Sequence, residues 1–244
     1  MFLPISIVSG RSLRHRRLQP ELMDDPEIDP RLHAAALRGL NRINAASRTA
    51  PSLWRAIRKA TGVRRGDRLR VLDVACGGGD VARGLWRHGR RAGVALSLHG
   101  VDISPTAVER ARAHTPPGTA VSYSVADALQ GPLPFDFDVV TCTLFLHHLP
   151  EADAARLLKQ LAQAARVAVI VSDLRRSTAG YWLAQAACRT LTRSPIVHVD
   201  GPRSVEGAFT IEEFRQLANE AGLHGVRVGR QWPQRLLAVW RRES

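Results

Sequence analysis

The sequence predicts an α/β fold, a doubly wound and mostly parallel sheet with helices on both faces, and three observations predict it. From about Leu69 onward, apolar strand-like runs alternate regularly with helix-like segments. Those runs are nearly unbroken in apolar character, as in RVAVIVSDL, which is how strands read when both faces are buried. Near the C-terminus two such runs, HGVRVGRQ and RLLAVWRR, are separated only by a turn containing Pro233, so they must pair antiparallel and end the sheet in a hairpin.

Residues 19 to 30, QPELMDDPEIDP, are acidic and punctuated by proline, and read as an extended connector ending in a helix start. Asp29 is the expected N-cap, with Pro30 at the first helical position. The helix that follows carries Leu32, Ala36, Leu40 and Ile43 on one face, with arginines opposite. RLRVLDVA then reads as strand, DVARGLWRHGRR as helix, LSLHGVDIS as strand, and PTAVERARAH as a helix capped by Ser104 ahead of Pro105. VSYSVADA and FDVVTCTLFL read as strands, and EADAARLLKQLAQAA as a strongly periodic helix. FTIEEFRQLANEAG is expected to open with a capping box of Thr210 and Glu213. The expected division is an N-terminal extension with a cap helix over 1–50 and one main domain over 51–244, with an insertion around 174–208.

A chain of 244 residues, 45% hydrophobic and 23% charged, is long enough to bury one sizeable core. The net charge of +13 raises nucleic acid or an anionic membrane surface as partners. The excess is arginine, however, spread along the chain, with Lys59 and Lys159 the only lysines, a pattern that a GC-rich coding sequence produces without selection for binding. Nucleic acid is therefore disfavoured, and peripheral contact of the basic surface with a membrane stays open. Cys76, Cys142 and Cys188 are scattered with no C-x-x-C spacing, so neither a disulfide framework nor a metal site is expected. The start, MFLPISIVSG, has its basic residues after its apolar stretch, the wrong order for a secretory signal, and the expected compartment is the cytoplasm.

The stretch VLDVACGGGDVA, residues 71–82, carries the chemistry. Gly77, Gly78, Gly79 and Ala82 satisfy a permissive dinucleotide pattern, and Asp102 lies at a distance suited to a ribose. Asp73 decides against a dinucleotide. A pyrophosphate wants backbone N–H groups without a carboxylate nearby, whereas an acid just before the turn receives a cationic ligand. S-adenosylmethionine, with its sulfonium and ammonium, has that character.

RVLDVACGGGDVA, GVDISPTAVERAR, SVADAL and FDVVTCTLFLHHL, in that order, resemble the class I S-adenosylmethionine-dependent methyltransferases, and look closest to the small-molecule enzymes of ubiquinone and menaquinone biosynthesis. The resemblance covers about residue 69 to the end. It implies a Rossmann-like seven-stranded sheet with the last strand antiparallel, and a cofactor site of Asp73, Ala75, Cys76, Gly77, Gly79, Asp102, Ile103, Asp127, Ala128 and Thr143. Asp102 would accept from the ribose hydroxyls and Asp127 from the adenine amino group. Ala75 stands where the family usually has glycine, so the turn must tolerate a methyl group. Cys76 is expected to pack, since no basic partner is apparent.

Methyl transfer needs a base only when the acceptor must lose a proton. His147 or His148 is the expected base, with His198 and Asp173 as further candidates. The insertion is where the family commonly builds its acceptor pocket; Tyr181, Trp182, Leu183 and Leu191 would give it apolar surface, and Arg175, Arg176, Arg189 and Arg203 could meet an anionic acceptor. The expected acceptor is an aromatic or lipid-like small molecule, methylated on oxygen, with carbon second. A nucleic-acid methyltransferase is the first alternative, but TCTLFLHH stands where an N/D-P-P-aromatic stretch would be expected, and Cys142 lacks the neighbouring proline of a carbon-5 pyrimidine enzyme. A nicotinamide-dependent reductase is the second, and it has no use for Asp73 or Asp127. A cofactor-holding module without turnover is the third.

Overall fold

Apolar residues on both sides of a strand need cover on both faces, and the helices supply it. The computed structural model describes residues 13–25 and 27–243; the stretch MFLPISIVSG lies outside them. The parallel strands are β1 (Arg68–Val74), β2 (Ala95–Asp102), β3 (Val121–Val125), β4 (Phe137–Thr143) and β5 (Ala165–Leu174), followed by β6 (Arg227–Gln231) and β7 (Arg235–Arg241). They form one seven-stranded sheet in the order β3-β2-β1-β4-β5-β7-β6. β7 runs antiparallel to both its neighbours, so the expected hairpin and the antiparallel last strand are both present.

The helices are α1 (Pro30–Ala46), α2 (Thr49–Thr61), α3 (Asp80–Arg91), α4 (Pro105–Ala113), α5 (Glu151–Ala164), α6 (Thr178–Leu191), α7 (Pro195–Gly207) and α8 (Ile211–Glu220). Leu157 and Leu161 of α5 and Phe214 of α8 pack with Leu72, Val140 and Val171 on one face of the sheet. Leu53 and Ile57 of α2, Leu85 of α3 and Val108 of α4 pack with Val71, Val139 and Ile170 on the other. A third, smaller cluster joins Ala36 of α1 to Cys188, Ile196 and Val197 of the inserted helices α6 and α7. No helix among the described residues is long and apolar enough to cross a membrane.

Caps read from the sequence appear as expected. Asp29 accepts from the Arg31 N–H, Ser104 from the Ala107 N–H, and Thr210 and Glu213 form the reciprocal box. Several expected bounds shift. β3 stops at Val125 and β4 at Thr143, both short of the apolar runs that suggested them. In β4 the cause is Leu144, whose left-handed φ of 55° turns the chain away. α2 begins at Thr49 after Arg48, which is left-handed at φ 51°, so the expected division at 50/51 falls inside this helix.

Candidate active site

β1 and β4 lie side by side, while their following helices cover opposite faces, and the switch in direction leaves a crevice at their carboxyl ends. A cavity of about 940 Å³ opens there. Of the residues expected to hold the cofactor, all but Gly79 line it. Gly79 sets the turn instead: it is left-handed at φ 71° as N-cap of α3, and a Cβ on it would stand 2.5 Å from the Tyr123 hydroxyl oxygen. Ala75 is also left-handed, at φ 55°, and carries its methyl group there at a steric cost.

The acids around this turn are already partly engaged. The Gly77 N–H donates to Asp102 Oδ2 at 2.7 Å and the Ser104 N–H to Asp102 Oδ1 at 3.0 Å, which fixes that carboxylate at the end of β2. Asp127 Oδ1 accepts from the Leu129 N–H at 2.8 Å. Ile103 leaves 62% of its surface exposed beside the cavity. Asp73 is buried and its Oδ1 accepts from the Thr141 hydroxyl at 2.8 Å. Its Oδ2 is buried with no hydrogen-bond partner among the described residues. Burial pushes the Asp73 carboxyl up to about 7, against the Thr141 hydrogen bond and with help from the charges of Asp80 and Asp102. A buried acceptor left unmatched is costly, and a cationic group in the cavity is the partner its chemistry calls for. The Thr143 hydroxyl oxygen is likewise buried without a partner among these residues. Burial, with the Asp73 and Asp102 charges, pushes the Cys76 thiol far up, so Cys76 packs and is no nucleophile.

His147 and His148 follow β4 in a 3₁₀ turn, Leu146–His148, and both line the cavity. His147 is buried; its Nδ1 lies 2.6 Å from Asp173 Oδ1 and its backbone N–H donates to Asp173 Oδ2 at 3.2 Å. Burial pushes the Asp173 carboxyl up, but the adjacent His147 outweighs this and holds it below its ordinary value. Asp173 therefore orients His147 and does not itself line the cavity. His198 does not line it either: its Nε2 lies 2.8 Å from the Thr192 carbonyl oxygen, joining the two inserted helices.

The insertion does wall part of the cavity, through Leu183 and Ala187 of α6 and Val197 and Val205 of α7, together with Leu37, Leu40 and Ile43 of α1. Tyr181, Trp182 and Leu191 do not line it, and neither do the four arginines considered for an anionic acceptor. Arg176 is buried against the Ala208 carbonyl and Glu213, Arg175 meets Gln234, and Arg203 reaches the Pro20 carbonyl.

Glu21, Asn44 and Arg235 are among the lining residues that were not expected. Glu21 arrives from the acidic connector, with the Ser204 hydroxyl 2.5 Å from its Oε1. Arg235 of β7 is buried and donates to Thr49 Oγ1 at 2.6 Å and Asn44 Oδ1 at 3.2 Å, and Asn44 in turn donates to Asp80 Oδ2 at 3.1 Å. Burial brings Arg235 down to about 10, against the charges of Asp173 and Asp80. An arginine and an asparagine in otherwise apolar runs were the available signal. Glu21 gave none, because an acid in a proline-rich connector reads as solvated.

Residues 71–167 match the methyltransferase-domain family. A ubiquinone biosynthesis O-methyltransferase of Thiobacillus denitrificans is 32% identical over 184 residues, covering 72% of this chain and 73% of that one. Its counterpart in Cupriavidus pinatubonensis is 29% identical over 63% of this chain and 59% of its own. Among solved structures, the plantazolicin methyltransferase in complex with SAH superposes with a TM-score of 0.66 at 15% identity, covering 91% of this chain and 92% of that one. A magnesium protoporphyrin IX methyltransferase from Synechocystis, with bound SAH, gives 0.57 at 20% identity over 81% and 84%. The sheet order, the glycine turn and these likenesses agree: the chain belongs to the class I S-adenosylmethionine-dependent methyltransferases, and S-adenosylmethionine is its cofactor.

Proposed function

We propose that the protein transfers the methyl group to a hydroxyl oxygen of a small apolar molecule of aromatic, quinol or lipid-like character. The observation that carries this reading is one continuous cavity lined both by the Asp73 carboxylate and glycine turn and by leucine, isoleucine, valine and alanine side chains. The names of the relatives, ubiquinone biosynthesis O-methyltransferases, support a quinol-type acceptor and oxygen as the reacting atom.

S-adenosylmethionine supplies an electrophilic methyl group on a sulfonium. Asp73 Oδ2 accepts from its ammonium group, which gives that buried oxygen the partner it lacks. Asp102, held in place by the Gly77 and Ser104 N–H groups, accepts from the ribose hydroxyls. Ile103 and Ala128 border the adenine, Asp127 accepts from its amino group, and Ala75, Cys76, Gly77 and Thr143 border the methionine portion. Gly79 serves by setting the turn.

On the acceptor side, Asp173 holds the Nδ1 proton of His147, so Nε2 is the basic atom. The acceptor hydroxyl gives its proton up at the group formed by Glu21, His147 and His148, and the apolar walls of α1, α6 and α7 hold the acceptor in line and exclude water. Carbon methylation is the second reading, since a carbon acid would lose its proton at the same place. A chamber closed by three helices suits a small acceptor better than a base carried on a nucleic acid.

Calorimetric titration with S-adenosylmethionine, S-adenosylhomocysteine and NADPH should give micromolar binding of the first two only. Turnover of isotopically methyl-labelled cofactor with a panel of phenols and quinols, read by NMR of the product, should then place the label on oxygen. Label found only on carbon would overturn the oxygen assignment, and label found only on nucleic acid would overturn the acceptor class.

A further inference from the structure

Three potential ligand atoms meet at the cavity wall. Glu21 Oε1 lies 3.8 Å from His147 Nε2 and 3.8 Å from His148 Nδ1, and all three lie within 4.8 Å of one another. We propose that Glu21, His147 and His148 form a site for a divalent transition-metal ion, with coordination positions left open to the cavity for an oxygen of the methyl acceptor. The inference rests on the reading of this cavity as the methyl-transfer chamber and deepens it by saying how the acceptor loses its proton.

The donor set points to the class of ion. Two imidazoles with one carboxylate suit zinc, iron(II), cobalt(II) or manganese, whereas magnesium and calcium prefer all-oxygen sites. The two Glu21 spacings of 3.8 Å fit after a contraction of about 0.4 Å. Metal bonds of about 2.1 Å place ligand atoms about 3.4 Å apart in a tetrahedral site. At 3.8 Å neither contact between Glu21 and the histidines is itself a hydrogen bond.

The surroundings are those of ligands held in advance. Asp173 takes the Nδ1 proton of His147, the outer-shell arrangement that fixes a metal-binding tautomer, and this turns the Nε2 lone pair toward the Glu21 carboxylate. A lone pair facing a carboxylate oxygen is unfavourable unless a proton or a cation stands between them. The Ser204 hydroxyl plays the matching outer role on Glu21. The segments are fixed separately: the Leu22 and Met23 N–H groups donate to the Asp200 carboxylate, and the Arg16 guanidinium donates to the carbonyls of Leu146, His147 and Leu149. Binding then requires little ordering of the chain.

Bound to the ion, the acceptor hydroxyl releases its proton to water and keeps the O–H electron pair. The oxygen forms the new O–C bond with that charge, while the C–S bond breaks with its pair going to sulfur, which becomes a neutral thioether.

The test is titration of chelator-treated full-length protein with cobalt(II), followed by its visible d–d absorption, with S-adenosylmethionine affinity measured on the same samples. One cobalt per chain at micromolar affinity is expected, weakened at least about tenfold in Glu21→Gln and in His148→Ala. Asp173→Asn, which replaces no ligand but alters the hydrogen bond that orients His147, should weaken it about 10- to 100-fold, as outer-shell changes do. Thermal melts of each variant separate loss of the site from loss of the fold. Absence of saturable absorption, or affinity unchanged in both Glu21→Gln and His148→Ala, overturns the metal site. If cofactor binding survives that result, the methyltransferase reading stands and His147 Nε2 is the base; if cofactor binding is also absent, the reading of the cavity itself fails.

Discussion

The two parts of the cavity are built on different physical terms. The cofactor part is made by strand ends, where Asp73, Asp102 and Thr143 sit on or at the ends of β1, β2 and β4 and inherit their positions from the sheet ladder. The acceptor part is a roof of α1, α6, α7 and the connector, whose own apolar cluster has four buried members among the described residues, Ala36, Cys188, Ile196 and Val197. Polar contacts do much of the holding there: Arg16 to the carbonyls of Gly207 and the histidine turn, Asp200 to the connector, and Gln19 to Glu206. A site on a sheet stays rigid, whereas a roof clipped on by side chains can open to admit an acceptor while the cofactor part keeps its shape.

The sharpest way to break that division is Asp102→Ala. If Asp102 accepts two ribose hydroxyls at about 2 kcal/mol each, as proposed, its removal should weaken S-adenosylmethionine about a thousandfold by calorimetry. The roof should be untouched, and limited proteolysis of the α1 and α6 region should follow the parent rate. Faster cleavage there would show that the two parts are coupled.

Arg16→Ala attacks the other side. Its guanidinium meets four carbonyl oxygens and stacks 3.9 Å from the Phe209 ring centre, so its loss should cost about 3 kcal/mol and lower Tm by about 10 °C. The acceptor KM should rise while cofactor affinity stays within about twofold. Cofactor affinity falling as much as acceptor affinity would contradict a separable roof.

The pH response of cofactor affinity should come from Asp73. The Asp73 carboxyl, raised to about 7 by burial, carries a proton below that pH in the free protein, and a bound ammonium group favours its ionised form. Cofactor affinity is therefore full above pH 7 and should fall toward tenfold per unit below it, so about tenfold is lost by pH 6. Because the folded value lies above the unfolded 3.8, the free protein should also lose stability as pH rises from about 4 to 7, and Asp73→Asn should flatten both profiles. A pH-independent calorimetric affinity in the parent protein would remove the role given to Asp73.

The same contrast explains what was legible in the sequence. The cofactor part is local: Asp73 and the glycines share one strand-turn-helix, and Ser104 and Pro105 announce the next helix start, so short-range rules suffice. The acceptor part is not. Glu21 becomes a cavity residue only because α7 supplies Asp200 and Ser204 to dock its segment, and Arg235 only because the hairpin returns beside β5. Some of the missing structure had a readable signal. Ser194 ahead of Pro195 opens α7 just as Ser104 ahead of Pro105 opens α4, and Leu53, Ile57 and Ala60 give α2 a helical face. His198 misled because its place in an insertion next to the pocket says nothing of which face of α7 it occupies.

The smallest effect tests the turn that both readings share. Ala75 holds φ 55°, where a Cβ approaches its own carbonyl oxygen and glycine has no such contact. Ala75→Gly removes that strain but gives the unfolded chain more conformational freedom, and the two oppose each other. Strain of about 1–2 kcal/mol exceeds the entropic loss of about 0.5–1 kcal/mol, so a net gain of about 0.5–1 kcal/mol is expected, a Tm rise of about 2 °C for a chain of this size. S-adenosylmethionine affinity should stay within about threefold, because the Gly77 N–H remains tied to Asp102 whichever residue precedes it in the turn. A lowered Tm would mean that the Ala75 methyl group makes packing contacts worth more than the strain it carries, and the turn would then be stabilised by its side chain as well as by its glycines.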